Sequence, residues 1–99
     1  MERAQAFQAV HDVLSQIQTK QNLRMPPLSD TVCPIRDLEK FDSPMSLAAT
    51  GMVGRKLGIT IPAETNIFGD KRGLFTIGKT VSLLCELSEK QKKREPTQV

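Results

Sequence analysis

The sequence of 99 residues has few of the residue types on which self-contained enzymes and disulfide scaffolds depend. Its aromatic residues are four phenylalanines, with no tryptophan or tyrosine, and it has one histidine. One histidine and two cysteines are too few for the usual zinc sites. Two cysteines are too few for a disulfide scaffold and favour reduced thiols. We therefore expect a carrier, adaptor or binding domain with no catalytic residue and no metal site.

Long apolar runs are also missing. No run approaches the roughly 18 residues that a membrane-spanning helix needs, and the first residues lack the apolar core of a signal peptide. The net charge of +3 arises mostly near the C-terminus, and the body of the chain has no basic stripe, which argues against a nucleic-acid partner. These absences predict a small cytoplasmic domain, and we expect it to be a monomer.

Hydrophobic periodicity predicts a first helix over Arg3–Gln18. Phe7, Val10, Leu14 and Ile17 recur at a spacing that places them on one face of a helix. The connection that follows, Met25–Phe41, contains three prolines, which exclude a continuous helix. Its apolar residues are too many for a free linker, so we expect a long loop packed onto the helices, with Ile35 and Leu38 buried.

The second predicted helix covers Pro44–Leu57. Asp42 and Ser43 are capping residues, a proline suits the first helical turn, and Gly58 is a typical residue to end a helix. The glycines at 51 and 54 indicate either a close backbone approach or a helix of moderate stability. The residues expected to face inward are Leu47, Thr50 or Met52, Val53 and Leu57.

A last helix is predicted from an N-cap at Thr76 to about Glu89. Before it, Thr65–Phe68 can form one short helical turn, and a polar loop runs between Gly69 and Gly73. No strand pairing is indicated. The predicted fold is all-α, a small four-helix bundle with three main helices and one short one. It forms a helical domain over residues 1–89, followed by a charged, disordered tail over residues 90–99.

Three stretches of this chain share their order and spacing with a known family. Asp37–Ser43 contains Asp-Leu and then Asp-Ser before a helix, and Leu57–Pro62 closes that helix with an Ile-Pro step. Phe75–Val81 is similar to the start of the last helix of that family. Together these stretches resemble the acyl carrier proteins, over roughly residues 4–88. The resemblance implies a helical bundle of acyl-carrier type.

The resemblance also implies a function. In such carriers the serine after the aspartate is esterified by 4′-phosphopantetheine, which a phosphopantetheinyl transferase delivers from coenzyme A. By this analogy Ser43 is the attachment residue and Asp42 its motif neighbour. Acyl or aminoacyl groups are then held as thioesters and presented to acyl-loading and acyl-processing enzymes, as in fatty acid or polyketide biosynthesis. An apolar interior able to shelter a chain would be lined by Leu47, Val53, Ile61, Ile77 and Val81.

This chain departs from the family pattern around its second predicted helix. Pro44 stands where a leucine commonly follows the modified serine, and it predicts that Ser43 is itself the N-cap, with its hydroxyl bonded to a backbone N–H. That helix is usually acidic, but here it has no Asp or Glu and contains Arg55 and Lys56. These cations, with Met45 as an adaptable apolar contact, are the candidate partner-binding residues.

Two functions therefore stay open from the sequence. The first is a divergent carrier, modified on Ser43, whose partners have an unusual charge. The second is an unmodified carrier-like interaction domain, in which the serine merely caps a helix and the basic surface binds an acidic protein. A helical DNA-binding protein is a weaker third interpretation, because the second predicted helix offers only two cations.

Overall fold

The structure is a computed structural model that describes residues 1–94. It is mostly helical and compatible with a small helical bundle, as predicted. Within the described residues, no helix has both the length and the apolar character to cross a bilayer. The elements are α1 (Arg3–Lys20), α2 (Pro34–Asp37), α3 (Ser43–Leu57), β1 (Gly69–Asp70), β2 (Gly73–Leu74) and α4 (Ile77–Arg94).

Helix α1 packs against both α3 and α4 through the face that its periodicity predicts. Val10, Leu14 and Ile17 are buried in the core, and Phe7 is half-buried at the edge of that face. The helix also continues to Lys20, slightly beyond its predicted end. Burial of this stripe removes apolar surface from water and therefore holds the three long helices together.

Helix α3 ends as its sequence predicts. Gly58 has a φ of 71°, and its N–H bonds to the carbonyls of Arg55 and Gly54. This left-handed residue turns the chain back over the helix, so that a Cβ on Gly54 would lie 3.2 Å from the carbonyl oxygen of Ile59. The close backbone approach expected at the helix glycines is therefore present at Gly54, whereas a Cβ on Gly51 would meet nothing within 4 Å.

The long loop is packed down with Leu38 buried, as expected, whereas Ile35, also expected to be buried, is half-buried against the core. The short helix, however, lies within this loop as α2 and not at Thr65–Phe68. Pro34 suits the first turn of α2, and the Asp37 carboxylate accepts a hydrogen bond of 2.8 Å from the N–H of Cys33, the residue that precedes the helix. These two features close a single helical turn in the loop.

A two-stranded antiparallel hairpin, which the sequence did not indicate, occupies the predicted polar loop. Gly69 pairs with Leu74 and Asp70 with Gly73. Gly73 has a φ of 154°, and the Asp70 carboxylate accepts a hydrogen bond of 2.8 Å from the N–H of Arg72. The glycines and this turn contact bring the strands together, although β1 and β2 are too short to show the alternation by which strands are predicted.

Helix α4 begins directly after its predicted N-cap, Thr76. The Thr76 hydroxyl accepts a hydrogen bond of 3.2 Å from the N–H of Lys79 in the first turn. It then runs to Arg94, past its predicted end and into the predicted tail. The Gln91 amide donates to the carbonyl of Thr60 at 2.6 Å and accepts from its N–H at 3.0 Å. This reciprocal pair anchors α4 beyond the predicted boundary, and residues 95–99 of the tail lie outside the described residues.

Candidate functional site

The backbone that leads to Ser43 is fixed by two buried side chains. Phe41 is 2% exposed and inserts into the core two residues before the serine. Gln18, fully buried in α1, donates a hydrogen bond of 2.9 Å to the carbonyl of Glu39. Lys40, which lies between Glu39 and Phe41 in the chain, takes a positive φ of 56° and bends the chain toward α3. The start of α3 is therefore held in place, and the role of the buried glutamine was missed from the sequence.

Asp42, and not Ser43, is the N-cap of α3. Its φ of −92° and ψ of −173° are extended, and its carboxylate accepts a hydrogen bond of 3.2 Å from the N–H of Met45. Ser43 is the first helical residue, so the prediction that this serine caps the helix is wrong. The physical reason is that a carboxylate is stabilised at the positive end of a helix dipole.

The Ser43 side chain is exposed. Within the described residues its hydroxyl forms no hydrogen bond, although its carbonyl accepts one of 2.8 Å from the hydroxyl of Ser46. A phosphate on this oxygen would meet fewer free N–H groups than at an ordinary first turn, because Pro44 has none and the N–H of Met45 is bonded to Asp42. An attached group would therefore feel the helix dipole but would extend into solvent.

Behind the start of α3, buried and half-buried hydroxyl and amide groups form a continuous network, which we call the polar seam: Ser46, Thr50, Asn66, Ile67 and Thr80. The Asn66 amide donates to the Ser46 hydroxyl at 2.7 Å, and the Ile67 N–H donates to the Thr50 hydroxyl at 3.1 Å. The Thr80 hydroxyl completes the seam by donating to the Ile67 carbonyl at 2.7 Å. The polar seam thus ties α3 and α4 to the segment before the hairpin.

The inward face of α3 agrees with the prediction in part: Thr50 and Val53 are buried, while Met52 and Leu57 are half-buried. Leu47 is 41% exposed, whereas the predicted Val53 is fully buried. Of the other residues expected to line a shelter for a chain, Ile77 and Val81 are buried in the core and Ile61 is half-buried. The signal that was missed is the run of small residues that completes this face at helical spacing, since Ser46, Ala49 and Gly54 are buried beside Thr50 and Val53.

The predicted partner-binding residues lie at the two ends of α3. Met45 is half-buried and packs against the core near the helix start, while Arg55 is exposed in the last turn. The Lys56 ammonium lies 3.8 Å from the Asp12 carboxylate of α1, so it forms an exposed ion pair. Since a helix rises 1.5 Å per residue, roughly 18 Å separates Ser43 from Arg55 along the helix axis. A partner that contacts both ends must therefore cover most of α3.

An anchored carboxylate stabilises the loop that precedes the site. The pKa of Asp37 is lowered to about 2, chiefly because the Arg36 guanidinium donates hydrogen bonds to it, and then because the Cys33 N–H does so. Asp37 therefore stays ionised under ordinary conditions and holds α2 closed. Cys33 is buried and Cys85 half-buried, both as free thiols.

Comparison with known proteins adds no family: no family model matches the chain, and searches of the curated proteins and of the solved structures give no match. Function must therefore be inferred from the chemistry of α3 and its surroundings. Ser43 and Asp42 lie together at the start of this helix, with Met45 beside them, whereas Arg55 and Lys56 belong to its far end.

Proposed function

We propose that this protein is a carrier of acyl-carrier type, which holds acyl or aminoacyl groups as thioesters on 4′-phosphopantetheine attached to Ser43. The observation that supports this proposal is the exposed Ser43 hydroxyl at the first residue of α3, unengaged within the described structure because Asp42 performs the capping. A serine that served only as a cap would have its oxygen bonded to a backbone N–H. The carrier is not itself a catalyst.

The residues fit this modification chemically. In the transfer, the Ser43 oxygen attacks the coenzyme A phosphate next to the pantetheine, a phosphodiester forms, and adenosine 3′,5′-bisphosphate leaves. The serine proton passes to a base of the transferase, so the carrier supplies only an accessible oxygen. When bound, the group supplies a thiol on a flexible arm. The Asp42 carboxylate keeps the helix start closed during this reaction, because it holds the N–H of Met45.

The partners of this carrier are a phosphopantetheinyl transferase and acyl-loading and acyl-processing enzymes with acidic docking surfaces. Leu47 presents an exposed apolar side chain one turn beyond Ser43, which offers such enzymes a leucine contact although Pro44 stands at the position where the family pattern has leucine. Helix α3 contains no acidic residue, and Arg55 is exposed near its end. Opposite charges on the partner would steer their encounter. We further propose that the carrier acts in the cytoplasm as a monomer.

Intact-mass analysis tests the modification. The protein is incubated with coenzyme A and a broad-specificity phosphopantetheinyl transferase. The wild type should gain the mass of one phosphopantetheinyl group, and Ser43→Ala should gain none. Ser29→Ala is the matched control, because it removes another exposed serine hydroxyl away from α3 and should be modified like the wild type. An unchanged wild-type mass with several transferases would refute the carrier function.

The exposed Leu47 and the absence of acidic residues from α3 also support a second candidate, an unmodified interaction domain that binds an acidic protein. In this case Ser43→Ala leaves binding intact, whereas Arg55→Glu weakens it and raised salt weakens it further. Arg55 is a cleaner probe than Lys56, whose replacement by glutamate would place a like charge beside Asp12. Lys20→Glu, at an exposed position of α1, is the charge-matched control.

A further inference from the structure

The segment that follows α3 is joined to that helix by buried polar contacts. The N–H of Ile67 bonds to the Thr50 hydroxyl, and its carbonyl accepts from the Thr80 hydroxyl, so the main chain of this one residue is held from both sides. All three residues are at most 2% exposed. A chain that entered between α3 and this segment would have to separate these groups where water does not replace their hydrogen bonds.

The space behind the polar seam is already filled. Phe41 and Phe68 meet edge to face with their ring centroids 5.4 Å apart, and they are 2% and 0% exposed. Ala49 and Val53 of α3 are fully buried in the same core. Because a close-packed core leaves little room between side chains, an aliphatic chain would have to displace these rings to enter.

A cleft lies at the surface near the polar seam. This cleft has a volume of about 510 Å³, opens to solvent, and contains Phe75 and Leu83 beside the polar Asn66 and the charged Glu64 and Lys71. A second cleft of about 400 Å³, between Pro62 and α4, also opens to solvent. A long aliphatic chain in either cleft would keep one side in water, so neither gives it shelter.

From these contacts we infer that a group attached at Ser43 stays outside the helical interior, so that this carrier is built for short or polar acyl and aminoacyl groups and does not enclose long aliphatic chains. This inference rests on the proposed carrier function. It replaces the sequence-based expectation of an apolar interior that shelters a chain. The polar seam closes the route beside Ser43, and the phenylalanine pair fills the space behind it.

Chains of increasing length at position 43 test the inference through protein stability. A transferase loads the wild type from acetyl-, butyryl-, octanoyl- and dodecanoyl-coenzyme A, and mass analysis confirms each product. We expect the same Tm across the series and unchanged hydrogen exchange of the Ile67 amide, because the polar seam stays closed. A Tm that climbs with chain length, by about 4 °C or more between the shortest and longest chains, would overturn the inference.

A second arm of the experiment does not depend on the transferase. Ser43→Cys, combined with Cys85→Ala to remove the half-buried thiol, is alkylated with maleimides that have ethyl to dodecyl chains. Thr19→Cys in the same background is the control, because its chain starts from an exposed position at the end of α1. The inference is supported if Tm depends on chain length in the same way at the two positions. It is overturned if Tm rises with chain length at position 43 only. If the transferase does not modify the wild type, only the carrier function is refuted, because the maleimide experiment still shows whether a chain at position 43 enters the helical interior.

Discussion

The polar seam predicts a large stability loss from one small change, Thr50→Val. The substitution keeps the branched shape of the side chain and replaces its hydroxyl with a methyl group. The Thr50 hydroxyl donates to the carbonyl of Ser46 at 3.0 Å and accepts from the N–H of Ile67 at 3.1 Å. The Ser46 carbonyl keeps its acceptor role within the helix, but the buried N–H of Ile67 loses its only partner among the described residues.

The expected magnitude follows from that stranded donor. A buried donor without an acceptor costs about 1–3 kcal/mol, because it gave up its water on folding and gains nothing in return. Both Thr50 and Ile67 are at most 2% exposed, so water does not compensate the loss. We therefore expect the free energy of unfolding to fall by about 2 kcal/mol, and Tm to fall by roughly 4–8 °C for each kcal/mol in a domain of this size.

Urea unfolding measures this loss, with an unchanged m value showing that the two states are otherwise the same. Thr19→Val is the matched control, since it makes the same chemical change in a helix at an exposed position. Its effect should stay within about 0.5 kcal/mol. If Thr50→Val also changes stability by no more than this control, the Ile67 N–H does not depend on Thr50, and the polar seam does not close the interior.

Two further predictions concern the glycines of α3 and the loop before the site. Gly51→Ala should raise the free energy of unfolding by about 0.5–1 kcal/mol, because its Cβ meets open space and alanine favours the helix. Gly54→Ala should lower the free energy of unfolding, because its Cβ would lie 3.2 Å from the Ile59 carbonyl oxygen. The urea midpoints of the two variants compare these effects directly, and equal shifts would contradict this packing. The Asp37 pKa of about 2 lies below its ordinary value of 3.8, so its contribution to stability is fully present above that ordinary value and is lost as the pH falls through about 2. In Asp37→Asn, Arg36 loses its ionised partner. The urea midpoints of this variant and the wild type should therefore differ at pH 5, and the difference should shrink toward pH 2. A difference that does not depend on pH would show that the carboxylate charge does not contribute to stability.

The helical framework could be predicted from the sequence because its signals are local and periodic. The apolar spacing of Phe7 to Ile17 predicts α1, and Gly58 marks the end of α3 by its tolerance of positive φ. The cap of α4 at Thr76 is likewise a local signal. Each of these features depends on residues within a few positions of one another, so the rest of the fold is not needed to interpret them.

The polar seam and the exposed Leu47 could not be predicted in the same way. Ser46 and Thr50 are small polar residues whose burial depends on hydrogen bonds to a segment about twenty positions further along the chain. A leucine in a helix is ordinarily assigned to the core, and only the burial of the small Ser46 and Ala49 shows that the inward face of α3 is shifted away from Leu47. The buried Gln18 is a third long-range case, because its partner is the carbonyl of Glu39.

Pro44, the main departure from the carrier pattern, provides a physical reason why the Ser43 hydroxyl forms no hydrogen bond within residues 1–94. The first turn of a helix ordinarily leaves several N–H donors in need of acceptors, and a proline removes one of them. Of those that remain, Asp42 satisfies the N–H of Met45 through its carboxylate at 3.2 Å, while its carbonyl accepts the first regular helical bond, from the N–H of Ser46, at 2.8 Å. With these donors satisfied, the helix start does not require the Ser43 oxygen. The residue that makes the site unusual is therefore compatible with an accessible attachment oxygen, because one aspartate is enough to cap a turn that has lost a donor.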